Sequence, residues 1–166
     1  MRYVKNGEVA ADPWVYIKGD EPVPSDVPAI VPARWLLTAP SSVIASRSAP
    51  LGVAWPNDRP ERELEPHLSQ LSLIALEFPV FRDGRAYTQA RQLRERLGFK
   101  GEIRATGDVL RDQFFFMARV GFNAFEVKKD ADAQAFQHAL HEFSGLYQPA
   151  ITASGGIRGR FPLPDS

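Results

Sequence analysis

From Leu51 to Val127 the chain alternates short apolar runs with longer amphipathic stretches. The runs are LGVAW, LIALEF, EIRAT and AFEV. Each is strand-length, and the segments between them have helical spacing. That order predicts parallel strands joined by crossover helices. Strands are expected at Leu51–Trp55, Leu73–Phe78, Glu102–Thr106 and Ala124–Val127. After the first, Leu64, Leu68 and Leu71 fall on one helical face. The second helix runs from about Gly84 to Leu97, with Ala86, Ala90, Leu93 and Leu97 buried and Gly98 ending it. The third runs from Val109 to Val120 and closes at Gly121. A last helix, capped by Asp130 or Asp132, carries Phe136, Leu140 and Phe143. The class is α/β: four consecutive β–α units around a parallel sheet, with right-handed crossovers. An open sheet and half of a β/α barrel both satisfy the pattern.

The N-terminal region reads differently. Tyr3–Lys5 and Glu8–Ala10 flank Asn6-Gly7, the sequence of a type I′ hairpin turn. Trp14–Ile17 suggests a further short strand. Prolines 22, 24, 28 and 32 argue against regular structure from Gly19 to Pro32. Trp35–Leu37 reads as a short strand or an anchor, and Ser41–Ser48 is ambiguous. One domain is expected over residues 1–148: a hairpin and proline-rich arm over 1–36, and the β–α units over 50–148. Residues 149–166, rich in glycine and proline, are expected to form a mobile tail.

Composition narrows the function classes. The 166 residues carry no formal net charge, which gives no global footprint for nucleic acid or an anionic membrane. No apolar run approaches the roughly 20 residues of a membrane span. The first residues lack the apolar core of a signal peptide. A cytoplasmic location is the resulting expectation. Without cysteine there is no disulfide, thiol nucleophile or cysteine-held cluster.

Candidate chemistry gathers at the carboxyl ends of the strands, where parallel α/β proteins bind ligands. Glu77, Arg104 and Glu126 place charges in three short strands. Buried charge needs a partner, so a Glu77–Arg104–Glu126 network is expected. It either closes the strand ends structurally or contacts a ligand. The loop Phe81-Arg82-Asp83-Gly84-Arg85 precedes a helix: Asp83 can cap it, and the arginines suit an anion. Gly107, Asp108, Asp112 and Gln113 repeat the arrangement after the next strand. From Arg82 to Arg104, seven basic residues face Asp83, Glu95 and Glu102, a local excess of four. That run is a solvated helix face or a dock for an acidic partner. Arg91 and Arg94 represent it. Three consecutive phenylalanines, Phe114–Phe116, cannot share one helix face. Phe115 or Phe116 must therefore pack on the N-terminal arm or meet a partner.

Several signatures are missing. The chain has no dinucleotide fingerprint, P-loop or nucleophile elbow. His138 and His141 have a weak metal spacing and no evident third ligand, so no metal site is expected.

The segments FRDGRAY, GFKGEIRATGDVLRDQ and ARVGFNAFEV, with Ala75–Pro79 before them, resemble a bacterial family known as domain of unknown function 934. The resemblance runs over roughly residues 35 to 148. It implies a place beside the sulfite reductase haemoprotein, in sulfate assimilation and cysteine biosynthesis, under the family's oxidoreductase label. Its matching motif residues are Phe81, Arg82, Asp83, Gly84, Arg85, Arg104, Gly107, Asp108, Asp112, Gln113 and Glu126. Two functions follow as expectations. One is an accessory protein, without its own cofactor, that docks sulfite reductase or its electron donor. The other is an oxidoreductase or small-anion-handling enzyme using Glu77, Asp83, Arg85, Arg104 and Asp108. Neither nucleic acid nor a membrane is an expected partner. Strand order and oligomeric state are not set by the sequence.

Overall fold

A computed structural model of the chain describes residues 2–6, 8–78, 84–107 and 114–127. Eight strands form one sheet in the order β2-β1-β8-β7-β6-β5-β4-β3. They are β1 (Arg2–Lys5), β2 (Glu8–Ala10), β3 (Val15–Tyr16), β4 (Ala29–Pro32), β5 (Leu51–Trp55), β6 (Leu73–Phe78), β7 (Glu102–Gly107) and β8 (Ala124–Val127). From β3 to β8 all neighbours are parallel. β1 pairs antiparallel with both β2 and β8. Asn6, beyond the Lys5↔Glu8 pair, takes the left-handed φ of 53°.

The four strands expected from the apolar runs stand where the pattern placed them. The proline-rich segment is a correction. Ala29-Ile30-Val31 is wholly buried and forms the body of β4. Its prolines sit just before the strand and at its last position, where a missing N–H costs least. Trp35–Leu37 is also not a strand: it lies in helix α1 (Ala33–Thr38), directly after β4. Helix α2 (Ser41–Ala45) follows and completes the crossover to β5. The next connection, Glu61–Gln70, is a 3-10 helix containing Pro66. Proline denies the interior of an α-helix a donor. Its expected apolar face holds, because Leu64 and Leu71 are buried. Helix α3 (Arg85–Glu95) joins β6 to β7. Helix α4 (Phe114–Val120) precedes β8. The expected last helix, the tail, and His138 with His141 lie outside the described residues.

The helices cover one face of the sheet. Val31, Val53, Trp55, Ile74, Leu76, Phe78, Ile103, Ala105 and Phe125 point to that side. They pack with Leu36, Leu64, Ala86, Ala90, Leu93, Met117 and Val120. The alternate strand residues face the other way, and none of the described helices lies over them. Ile30, Leu73 and Ala75 make a small second core there with Trp14 and Tyr16.

Chain geometry requires the sheet to curl around that second face. Eight strands about 4.8 Å apart would hold β2 and β3 about 34 Å apart in a flat sheet. The link from Ala10 to Val15 has only five Cα–Cα steps and reaches at most about 18 Å. The sheet is therefore a half-barrel. Of the two architectures consistent with the sequence, the curled one is adopted.

Candidate functional site

The concave face encloses a cluster of charges centred on Arg104. Strand alternation puts Glu102 and Arg104 on this face of β7, and Glu126 on this face of β8. Arg104 has no exposed surface. Its Nε donates to Glu102 Oε2 at 3.0 Å. Nη1 donates to Glu126 Oε2 and Asp12 Oδ2, both at 2.9 Å. Nη2 donates to Asp12 Oδ1 at 3.1 Å, which makes the Asp12 pair bidentate. The Tyr3 ring lies against the guanidinium, 4.2 Å from its carbon.

Neighbouring groups complete the carboxylates. Glu102 Oε1 accepts from the Tyr3 hydroxyl at 2.7 Å and pairs with Lys5 Nζ at 3.2 Å. Glu126 Oε2 also accepts from the Tyr16 hydroxyl. Two cations thus meet three carboxylates, leaving one net negative charge. Burial by itself draws the Arg104 pKa down. The hydrogen bonds to Asp12 and Glu126 and the charge of Glu102 outweigh it, so the net shift is upward. Burial, reinforced by the adjacent carboxylates, raises the pKa values of Tyr3 and Tyr16. Both phenols stay protonated donors. Burying so much charge is tolerable only because nearly every donor and acceptor is engaged.

The structure keeps part of the expected network. Arg104 pairs with Glu126 as predicted, but Glu77 is not among its partners. Glu77 is exposed near the carboxyl end of β6, in register with Thr106, while Arg104 pairs in register with Ala75. One step of two residues along the strand carries Glu77 past the guanidinium. Glu102, Asp12, Lys5, Tyr3 and Tyr16 were not foreseen as members. Charge inside a strand was the available signal for Glu102. No local signal marks Asp12, because its role depends on the curl of the sheet.

The carboxyl edge is described only in part. Phe81, Arg82, Asp83, Asp108, Asp112 and Gln113 lie outside the described residues. The cap position of α3 falls on Gly84, one residue after Asp83, and offers no side-chain hydrogen bond. Gly84 and Arg85 are exposed. Gly107 has φ +84°, and a Cβ there would stand 2.4 Å from the Phe78 carbonyl oxygen. Its place in the motif therefore has a steric cause.

Arg94 requires a second correction. It is not part of an exposed basic face. Nε and Nη2 donate to the Gly121 carbonyl at 3.0 and 2.9 Å. Nη1 donates to the carbonyls of Phe99 and Gly101 at 2.9 and 2.8 Å. Burial pulls its pKa down to about 10, which leaves it charged at neutral pH. Gly121, at φ +124°, makes room for it: a Cβ there would lie 2.5 Å from Arg94 Cγ. Arg91 does remain exposed. Phe116 is 46% exposed, and its ring packs on Tyr87 with centroids 4.7 Å apart. Its contact is thus with α3, not with the N-terminal arm. The Phe115 side chain lies outside the described set.

Among the described residues no group of histidine and acidic side chains could hold a metal ion. No described helix is long and apolar enough to cross a membrane. No curated protein matches the chain. A family model does match, from Gly52 in β5 to residue 157, a span that starts later and ends later than the resemblance read from the motifs. It contains Glu102, Arg104 and Glu126 but not Tyr3, Lys5, Asp12 or Tyr16, and by this match over well over half its length the chain belongs to the family described as bacterial protein of unknown function (DUF934).

Proposed function

We propose that this chain is an accessory protein of assimilatory sulfite reduction, acting in sulfate assimilation and cysteine biosynthesis. It docks the sulfite reductase haemoprotein or its electron donor. The pathway comes from the motif resemblance. The docking role is supported by one observation: among the described residues, the charged groups inside the half-barrel are spent on one another. Arg104 is sealed by three carboxylates of its own chain. An anionic substrate would meet a net negative interior. The test is co-purification of the tagged protein with purified sulfite reductase and with its donor. Deletion should also slow growth when sulfate is the sole sulfur source. A chain that binds neither protein, and whose deletion leaves that growth unchanged, refutes the proposal.

One observation favours the alternative, an oxidoreductase or small-anion-handling enzyme at the carboxyl edge. Glu77 and Arg85 are both exposed there, where parallel barrels carry their chemistry. A flavin or nicotinamide spectrum in the purified protein would support that reading over docking.

A further inference from the structure

We infer that the docking contact is the outer face of α3 and α4, with Phe116 as its apolar anchor and Arg91 and Arg119 as its cations, and that it takes an acidic protein surface. This deepens the docking proposal and rests on it for the existence of a partner.

The two helices run side by side in the same direction. Tyr87 meets Phe116 at their first turns, and Arg94 meets Gly121 at their ends. Arg91 lies one turn above Tyr87 and Arg119 one turn above Phe116, so the two arginines stand at the same level. Both are exposed. Neither joins an ion pair among the described residues. The exposed charges on these helices and the following turn are Arg85, Arg91, Arg96, Lys100 and Arg119 against Glu95. That is an excess of four positive charges among the described exposed residues of these helices and the turn, in a chain with no net charge.

Phe116 is one of three large apolar side chains exposed among the described residues. The other two, Val15 and Val43, lie on β3 and α2. A half-exposed aromatic with an exposed arginine one turn along on each helix has the composition of a protein hot spot. Nucleic acid would call for a broader basic footprint than a neutral chain supplies, and for more than one stacking ring. Charge complementarity thus selects a protein rich in aspartate and glutamate.

The experiment puts a photo-crosslinking phenylalanine analogue at position 116, and in a control at position 43, of the full chain in its native cell. Irradiation should join position 116, and not 43, to a protein through a peptide rich in aspartate and glutamate. Arg91→Glu with Arg119→Glu should cut the yield at least tenfold while leaving the melting temperature unchanged. If the analogue at 116 lowers that temperature, position 119 carries it instead, and Arg91→Glu alone is then the charge reversal. When the captured protein is sulfite reductase or its donor, both readings stand. When it is a different acidic protein, this inference stands and the sulfite reading falls. No position-specific adduct, an adduct to nucleic acid or lipid, an adduct at a non-acidic peptide, or a yield indifferent to the charge reversals overturns it.

Discussion

Asp12 and Arg104 are 92 residues apart in sequence and meet through two hydrogen bonds of 2.9 and 3.1 Å. Asp12 belongs to the short link between the two edge strands, and Arg104 to a central strand. Their pairing ties the link to the inner wall of the half-barrel. Replacing Arg104 with methionine leaves three carboxylates around an apolar side chain. The expected loss is about 3–5 kcal/mol, measured by urea unfolding. Asp12→Asn should cost less, because it keeps one accepting oxygen and the side chain is 28% exposed, so water can serve the Arg104 donor that loses its partner. A double-mutant cycle should show clear coupling between the two positions. Additive losses would mean that the link is not held through this pair.

Glu77 and Glu126 were expected to play the same part, and the structure separates them. Glu126→Gln removes the charge that receives both Arg104 and Tyr16, with an expected cost of about 1.5–3 kcal/mol. Glu77→Gln changes an exposed group outside the cluster, with an expected effect within about 0.5 kcal/mol. Equal losses in thermal unfolding would restore Glu77 to the network.

That contrast shows what was legible in the sequence. Short apolar runs between helical stretches identified the strands β5 to β8, and the need of charges inside strands for partners brought Arg104 and Glu126 together, because both signals are local to the sequence. The curl is not local: it follows from joining β2 to β3 with four residues across eight strands. Asp12 and Tyr16 reach the cluster only through that curl, and Tyr3 through the pairing of β1 with β8, so nothing in their neighbourhoods announced them. Strand β4 was missed for a different reason. Its prolines read as breakers, yet they fall at the strand's borders and leave Ala29–Val31 free to pair. Arg94 looked like its neighbour Arg91. Only the turn after α3 and the end of α4, both contributing carbonyls, distinguish the two.

Gly107 offers a test of the motif that is independent of function. Gly107→Ala sets a methyl group against the Phe78 carbonyl at a left-handed backbone position. The expected loss is about 1–3 kcal/mol of stability. An alanine variant that melts with wild type would leave the glycine's presence in the motif without this steric cause.

Alkaline pH should weaken the cluster. The folded protein holds the Tyr3 and Tyr16 protons above the pH at which the unfolded chain releases them. Where the native state binds more protons, stability falls as pH rises. The contribution is intact below about pH 10 and lost upward from there, at up to about 1.4 kcal/mol per pH unit for each phenol. Arg94, with its lowered pKa, acts in the opposite sense over part of that range. The informative quantity is therefore the difference between wild type and Tyr3→Phe/Tyr16→Phe. Urea midpoints should fall more steeply with pH in wild type. Parallel curves would show that the phenols do not carry the dependence.

Arg91 and Arg94 should answer charge reversal in opposite ways, although they are three residues apart. Arg94→Glu puts a carboxylate against the carbonyls of Phe99, Gly101 and Gly121, which four donated hydrogen bonds now hold. It loses those bonds and adds repulsion in a buried setting. The expected destabilisation exceeds about 3 kcal/mol. It should appear as an early melt and as faster amide exchange in α4, since Arg94 joins α3 to the end of that helix. Arg91→Glu changes an exposed side chain, with an expected effect within about 0.5 kcal/mol. It should nevertheless weaken partner association, and the loss should shrink as salt screens the contact. Any loss of association in an Arg94 variant must first be corrected for the folded fraction. If Arg94→Glu melts like wild type, the buried tie between α3 and α4 is wrong. If Arg91→Glu binds the partner as wild type does at low salt, the outer face of α3 is not the docking surface.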